Sequence, residues 1–579
     1  MLIIFFSLSY SQIIQYKMSL FIKKPLDKLL AEAAETGEHT LKRTLGSGAL
    51  LALGIGAIIG AGIFVRTAAA AGNHAGPGVM ISYIIAGIGC AFAGLCYVEF
   101  ASMIPIAGSA YTYSYATMGE LIAWIIGWDL ILEYALGAAT VAIAWSEYLN
   151  KFCEYYFGFT IPYEWCHSPF QSQMIDGMAS GVHGIINLPA IVILALLTML
   201  LIKGTKESAN FNSIIVIIKV LIVLVFIAIG WHYIVPANHA LIIPPNTGES
   251  GAFGWSGVLR GAGIVFFAYV GFDAVSTAAQ EAKNPQKGMP IGILGSLAFC
   301  TVLYILFSYV LTGIANYKEF SVTGPGHEAA VAYAINKYMI GYEWFGGLIT
   351  IAILAGFSSV ILVMLMGQSR VFFTMSKDGL LPKTFSEVHP KFNTPAKATI
   401  WLFVLVGFFA AFVPGDIVGD MCSIGTLFAF VLVSLGVIAM RKSNPDAVRP
   451  FKVPLVPIIP LLGVLVCGFM IFGLGFENWS RLLIWLLVGF IIYILYSLKN
   501  SQLADKLTEV RKSKFVSIIG IVTAITLLIL TYLVYHNPGH LIATNYETKA
   551  IDSYYKFIMI FSMANIVFYL INIVTKKEK

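Results

Sequence analysis

Runs of about twenty apolar residues recur along this sequence from its first fifty residues to its end, and that recurrence limits the fold more than any other feature. A helix needs about 20 such residues to cross the hydrocarbon core of a bilayer, and about fourteen stretches here qualify. Their approximate limits are 47–71, 78–104, 119–147, 184–203, 208–234, 257–280, 290–314, 344–374, 396–413, 417–440, 454–475, 480–498, 515–536 and 555–575. Composition agrees: hydrophobic residues make up 58%, charged residues 11%, and mean hydropathy is +0.82. So few charges cannot cover a soluble surface, and the same numbers exclude a disordered chain or a disulfide-stapled scaffold. A membrane β-barrel alternates apolar and polar residues instead of running apolar for twenty. The expected class is an all-α polytopic membrane protein. Its net charge of +6 is scattered between apolar runs and carries no nucleic-acid signal.

Positive charge orients such a chain. With the N-terminus in the cytoplasm and the spans alternating, most of the 36 Lys and Arg fall on the inner side. Lys23, Lys24, Lys28, Lys42 and Arg43 precede the first span, and Lys576, Lys577 and Lys579 follow the last. Both termini are therefore expected inside. Residues 1–17 lack the basic start and small-residue cleavage site of a signal peptide, and Met18 opens an amphipathic stretch that suits a true start. Among the seven cysteines, Cys153 and Cys166 share one outer loop and could pair there. No His/Cys/Asp spacing suggests a metal site.

Two spans carry helix-breaking patterns. The first contains Gly54, Gly56, Gly60 and Gly62, each costing about 1 kcal/mol of helix propensity relative to Ala. Close helix packing explains Gly56 and Gly60; Gly60-Ala61-Gly62 near mid-membrane reads better as an unwound segment. The sixth contains Gly261, Gly263 and Gly271, with Asp273 just beyond. These spans are five apart, an odd number, so the second copy enters from the opposite side. Glycine-interrupted spans in matching positions point to a transporter site. The expected division is a cytoplasmic tail over 1–46, one inverted repeat over 47–234, the second over 257–440, and accessory helices over 454–579. Half-helix N-termini offer N–H groups and positive partial charge, whereas unwound carbonyls offer the reverse. A site with both suits a zwitterion such as an α-amino acid.

Lys219 lies about ten residues from either end of the fifth span, roughly 15 Å at 1.5 Å per residue, too deep to snorkel. A charge at that depth is a functional-site hypothesis by default, and it suits a group that gains and loses a proton in a cycle. A structural lysine held by a carboxylate or carbonyls is the other reading. Asp129 and Glu133 share a helix face one turn apart, with Glu133 the better candidate to line a cavity. Asp273 suits capping of the inner half-helix, and Glu99 a solvated or paired place near the inner end of the second span. Ser358 and Ser359 in the eighth span either face the site or bond back to their own helix.

These stretches resemble the cationic amino acid transporter family of the amino acid–polyamine–organocation superfamily. The matching motifs are GIGAIIGAGIF in the first span, GWDLILEYALG in the third and GIVFFAYVGFDAVSTAAQEAKNPQKGMP across the sixth, with RVFFTMSKDGLLP and RPFKVP further on. The resemblance implies a five-plus-five inverted-repeat fold with alternating access. It implies that Ile59, Gly60, Ala61 and Gly62 meet the substrate carboxylate. Carbonyls of Phe267, Ala268 and Val270 would then meet its ammonium, with Phe267 as gate. Lys219 falls where proton-coupled relatives place a lysine, with Ser358 and Ser359 nearby. Met364 stands where mammalian cationic transporters carry a small Ser, which would close the pocket to a long cationic tail; Glu133 pulls the other way.

The expected function is an L-amino acid/proton symporter preferring small or medium neutral amino acids, in a bacterial inner membrane, and not an enzyme. The alternatives are an ion-independent exchanger, a cationic amino acid transporter, and a non-transporting nutrient sensor. The expected partners are the amino acid, protons and lipid, with no cofactor and no nucleic acid; a small accessory membrane subunit stays an open partner.

Overall fold

The computed structural model describes residues 21–34, 43–60, 62–175, 178–248, 251–321, 330–474, 476–503, 514–535, 556 and 558–570. The leader over 1–17, Met18, Lys42, Ala61, Lys576, Lys577 and Lys579 lie outside these.

Among the described residues the regular structure is helical apart from one hairpin, β1 (Ser172–Ile175) paired antiparallel with β2 (Met178–His183), and an isolated bridge between Leu45 and Ala282. An amphipathic helix α1 (Leu26–Ala34) comes first. Then follow α2 (Ser47–Ile58), α3 (Val79–Met103), α4 (Glu120–Leu130), α5 (Gly137–Phe157), α6 (Leu188–Lys203) and α7 (Thr205–Gly230). Next are α8 (Gly254–Val265), α9 (Ala274–Thr277), α10 (Ser296–Ile314), α11 (Glu343–Lys377), α12 (Ala396–Phe412) and α13 (Gly415–Ser443). The last are α14 (Ile458–Gly473), α15 (Phe476–Ile492), α16 (Lys514–Tyr535) and α17 (Ile558–Leu570).

Among the described residues, eight helical stretches are long and apolar enough to cross a membrane. The expectation of about fourteen full spans is therefore met only in part. Helices α6 and α14, at 16 residues, and α12, at 17, reach only about 25 Å at 1.5 Å per residue. Span limits drawn from hydropathy included flanking apolar residues that the helices leave out. Cys153 and Cys166 stand as buried free thiols, so the bond that their shared loop allows is not formed.

Small residues bring the central helices together. Added β-carbons would stand 2.4 Å from Ser296 Oγ at Gly54 and 2.5 Å from Val360 Cγ2 at Gly60. Buried ion pairs fasten one end of the bundle. The Arg370 Nε of α11 donates to Glu281 Oε1 at 2.9 Å, with both side chains 1% exposed. The Glu281 carbonyl also accepts the Thr44 and Leu45 N–H groups, at 2.9 and 3.0 Å, pinning the chain ahead of α2. Glu99, at the end of α3, is buried and paired rather than solvated. It takes Arg441 at 2.8 and 2.7 Å and the Val453 N–H at 2.7 Å, and Arg449 Nε lies 3.2 Å away. Lys24 reaches Asp378 and Glu32, each at 2.6 Å, and Tyr111 adds its hydroxyl to Asp378 at 2.7 Å.

Removing one member of a buried pair strands the other charge, at a cost of about 3–5 kcal/mol. Arg370→Leu should therefore lower the thermal-unfolding midpoint in detergent by several degrees, and the double replacement Arg370→Leu/Glu281→Leu should recover part of that loss. A single variant as stable as the parent would show that the pair contributes nothing.

Candidate functional site

The two glycine-rich segments do break. Helix α2 ends at Ile58; Ile59 turns extended, with φ −77° and ψ 100°, and helical structure resumes as a π-turn over Gly62–Arg66. Helix α8 passes into a 3₁₀ turn over Phe266–Tyr269, Val270 leaves the helical region, and Gly271 adopts φ +101°, which a glycine tolerates without strain. The breaks lie against each other. A β-carbon on Gly62 would sit 2.2 Å from Ala268 Cα, and one on Gly271 would sit 3.1 Å from Ala57 Cβ.

Carbonyls freed by such breaks need donors, because lipid supplies none. Lys219, on α7, supplies them to the first break. Its Nζ donates to Gly56 O at 2.9 Å and Ile59 O at 2.7 Å, with Ser359 Oγ 3.4 Å away. Ser359 also lies 3.1 Å from Gly56 O and donates to Asn212 Oδ1 at 2.6 Å, while Asn212 reaches Ala52 O. No carboxylate pairs with Lys219 among the described residues. Ser358 is not part of this cluster: its hydroxyl donates to Leu354 O of its own helix at 2.9 Å.

Tyr304, on α10, serves both breaks. Its hydroxyl lies 2.7 Å from Ile58 O and 2.9 Å from Ala268 O. The Phe267 carbonyl accepts the Val270 N–H at 3.3 Å, so two of the three carbonyls expected to meet an ammonium already have protein partners. The Phe267 ring is buried, and the Arg66 guanidinium lies over it at 5.3 Å from the centroid. Asn212, Tyr304 and Arg66 are the residues that sequence reasoning missed. A charged residue one turn past a glycine break was the available signal for Arg66; a tyrosine in an apolar helix gives none.

Glu133 does not line an open cavity. It is fully buried on the π-turn between α4 and α5, beside Asp273 and Thr426 and near Asp129, and neither carboxylate oxygen has a close hydrogen-bond partner among the described residues. Asp129 is equally buried, and its oxygens also have no partner among the described residues. Asp273 makes no capping bond to α9, because its own backbone is already helical; its carboxylate accepts the Tyr134 hydroxyl instead. Met364 is 1% exposed and packs across Gly137, where a β-carbon would meet its Sδ at 2.8 Å and Cys422 Sγ at 3.2 Å.

Comparison with known proteins adds a frame. A protein-family profile described as amino acid permease matches residues 45–495. The chain is 46% identical over 487 residues to the branched-chain amino acid permease BcaP of Bacillus subtilis (strain 168), covering 84% of this chain and 99% of that one. It is 42% identical over 485 residues to the methylthioribose transporter of the same organism, with the same coverage. To cationic amino acid transporter 4 of Homo sapiens it is 33% identical over 427 residues, 73% of this chain and 64% of that one. The resemblance to cationic transporters alone was thus too narrow, since similarity extends to branched-chain permeases as well.

The Gly62–Ala268 contact generates a test. Any side chain at residue 62 must push the two breaks apart, and overpacking of this kind costs about 1–3 kcal/mol. Gly62→Ala should lower the unfolding midpoint and also abolish the substrate-induced thermal shift. A variant with parental stability and an intact shift would mean that the breaks need not touch.

Proposed function

Because the chain belongs to the amino acid permease family of the amino acid–polyamine–organocation superfamily, we propose that it is a proton-coupled symporter of small or medium neutral L-amino acids. It is an integral membrane protein and a secondary active permease, not an enzyme. In this reading residues 47–234 and 257–440 form two inverted five-helix repeats, residues 454–579 are accessory, and both termini face the cytoplasm of a bacterium.

The observation that carries the reading is Lys219 lodged on the first break. As an ammonium it brings three donors and a charge to Gly56 O, Ile59 O and Ser359. As an amine it keeps two donors and no charge. Its hold on the broken helix therefore depends on its proton, and the carboxylate site of Ile59, Gly60, Ala61 and Gly62 lies on that same break. The substrate ammonium is assigned to carbonyls at Phe267, Ala268 and Val270, where it must share or displace the Tyr304 contact. Glu133, closed in among acids, is assigned no cationic tail. Met364 limits side-chain length.

A second reading keeps Lys219 permanently charged, as an ion-independent exchanger. Its favouring observation is that every hydrogen bond of the Lys219 ammonium among the described residues goes to a carbonyl or hydroxyl, with no carboxylate there to take its proton. Proteoliposomes separate the two. One unit of inward proton gradient, worth about 1.4 kcal/mol, should drive about tenfold accumulation at one proton per substrate. Lys219→Ala should abolish that accumulation and leave exchange in place. Gradient-driven uptake that survives the substitution would exclude Lys219 from coupling.

Substrate range is read by competition against one labelled amino acid, with branched-chain, small, cationic and methylthioribose competitors. Met364→Ser should improve competition by long side chains roughly 15- to 60-fold, as removal of a thioether opens space for two or three methylenes at about 0.8 kcal/mol each. No change in length preference would show that Met364 does not bound the pocket.

A further inference from the structure

Arg66 ends the π-turn that follows the first break, one turn beyond Gly62. It is half-buried. Its guanidinium carbon lies 5.3 Å from the centroid of Phe267, within cation–π range. On its other side, Nη2 is 2.6 Å from where a β-carbon on Gly419 would stand, next to the Thr140 methyl. The missing side chain of Gly419 makes the room that the guanidinium fills. Thr140 turns its hydroxyl to Leu136 O, away from Arg66. Among the side chains described, Arg66 has no hydrogen bond or ion pair; at Cys422, the thiol beside Met364 and Gly137, Glu133 is the stronger charge and Arg66 acts against it.

We infer that Arg66 sets the charge selectivity of the permease, excluding amino acids with cationic side chains. The assignment rests on the amino acid permease reading and deepens it. Phe267 and Gly62 belong to the two breaks, so Arg66 sits beside the binding segment on both counts. The ring face and the Gly419 gap hold the guanidinium in place, and arginine stays charged at every physiological pH. Were a second positive charge to sit roughly 8 Å from it, an effective dielectric of about 20 would disfavour that charge on the order of thirtyfold. Neutral side chains pay nothing. Exclusion by charge differs from exclusion by length, the effect assigned to Met364. Arginine and citrulline separate the two, being nearly the same in size and differing in charge.

The test is competition by arginine and by citrulline against labelled alanine in proteoliposomes. It uses the unsubstituted protein, Arg66→Gln and Arg66→Lys, each also carrying Met364→Ser so that long side chains enter. Citrulline should outcompete arginine about thirtyfold wherever residue 66 is charged, and less than about threefold in Arg66→Gln. Equal competition by the two in the Met364→Ser protein would overturn the assignment, and that arm stands even where Arg66→Gln does not fold. A bias unchanged by Arg66→Gln would overturn it as well. If no amino acid competes with alanine in the unsubstituted protein, the permease reading itself fails, a result distinct from either of these.

Discussion

Backbone carbonyls cannot be left bare in an apolar interior, and the centre of this molecule is organised around two places where helices expose them. Lys219 and Tyr304 answer that demand with different chemistry. The lysine brings a charge that can be gained or lost; the phenol brings one neutral donor shared between Ile58 and Ala268. Around them, glycines shorten the distance between helices until backbone meets backbone, as Gly62 does with Ala268. Close approach, donor supply and broken geometry are therefore one arrangement, and changing any of them changes the others.

Much of this was legible in the sequence, for identifiable reasons. Clustered glycines inside apolar runs cost helix propensity, so the breaks near Gly60 and Gly271 showed themselves. A lysine ten residues from either end of an apolar helix has few explanations, so Lys219 did too. Periodicity assigns a residue to a face but does not say what that face meets. Hence Glu133 was expected at an open cavity and lies instead among Asp129, Asp273 and Tyr134. Adjacent serines look alike in a sequence; only the helix rotation shows that Ser359 turns to Lys219 and Ser358 to its own Leu354. Tyr304 was hidden because a buried tyrosine normally reads as packing.

The polar interior divides by charge compensation. Near Glu99 and Glu281, arginines sit directly against the carboxylates, and loops are drawn in by backbone bonds to the same residues. Around Asp129, Glu133 and Asp273 no cation lies at hydrogen-bonding distance among the described residues, and the nearby donors are neutral hydroxyls such as those of Tyr134 and Thr426. The first kind of cluster rigidifies helix ends. The second holds acceptor-rich groups at high cost in an otherwise apolar wall, beside the break at Gly271.

The segment running up to α2 is fastened at two points. Near its start, the Ile22 carbonyl accepts the Glu120 N–H, the Lys24 N–H donates to Tyr115, and the Lys24 side chain reaches Asp378. At its far end, Leu45 pairs with Ala282 just past the sixth-span break. Both ends of that segment are thus held against the helical bundle. The two attachments join α4 and α11 at one end to the loop at Ala282 at the other, all through backbone or charged contacts that lie away from the two breaks.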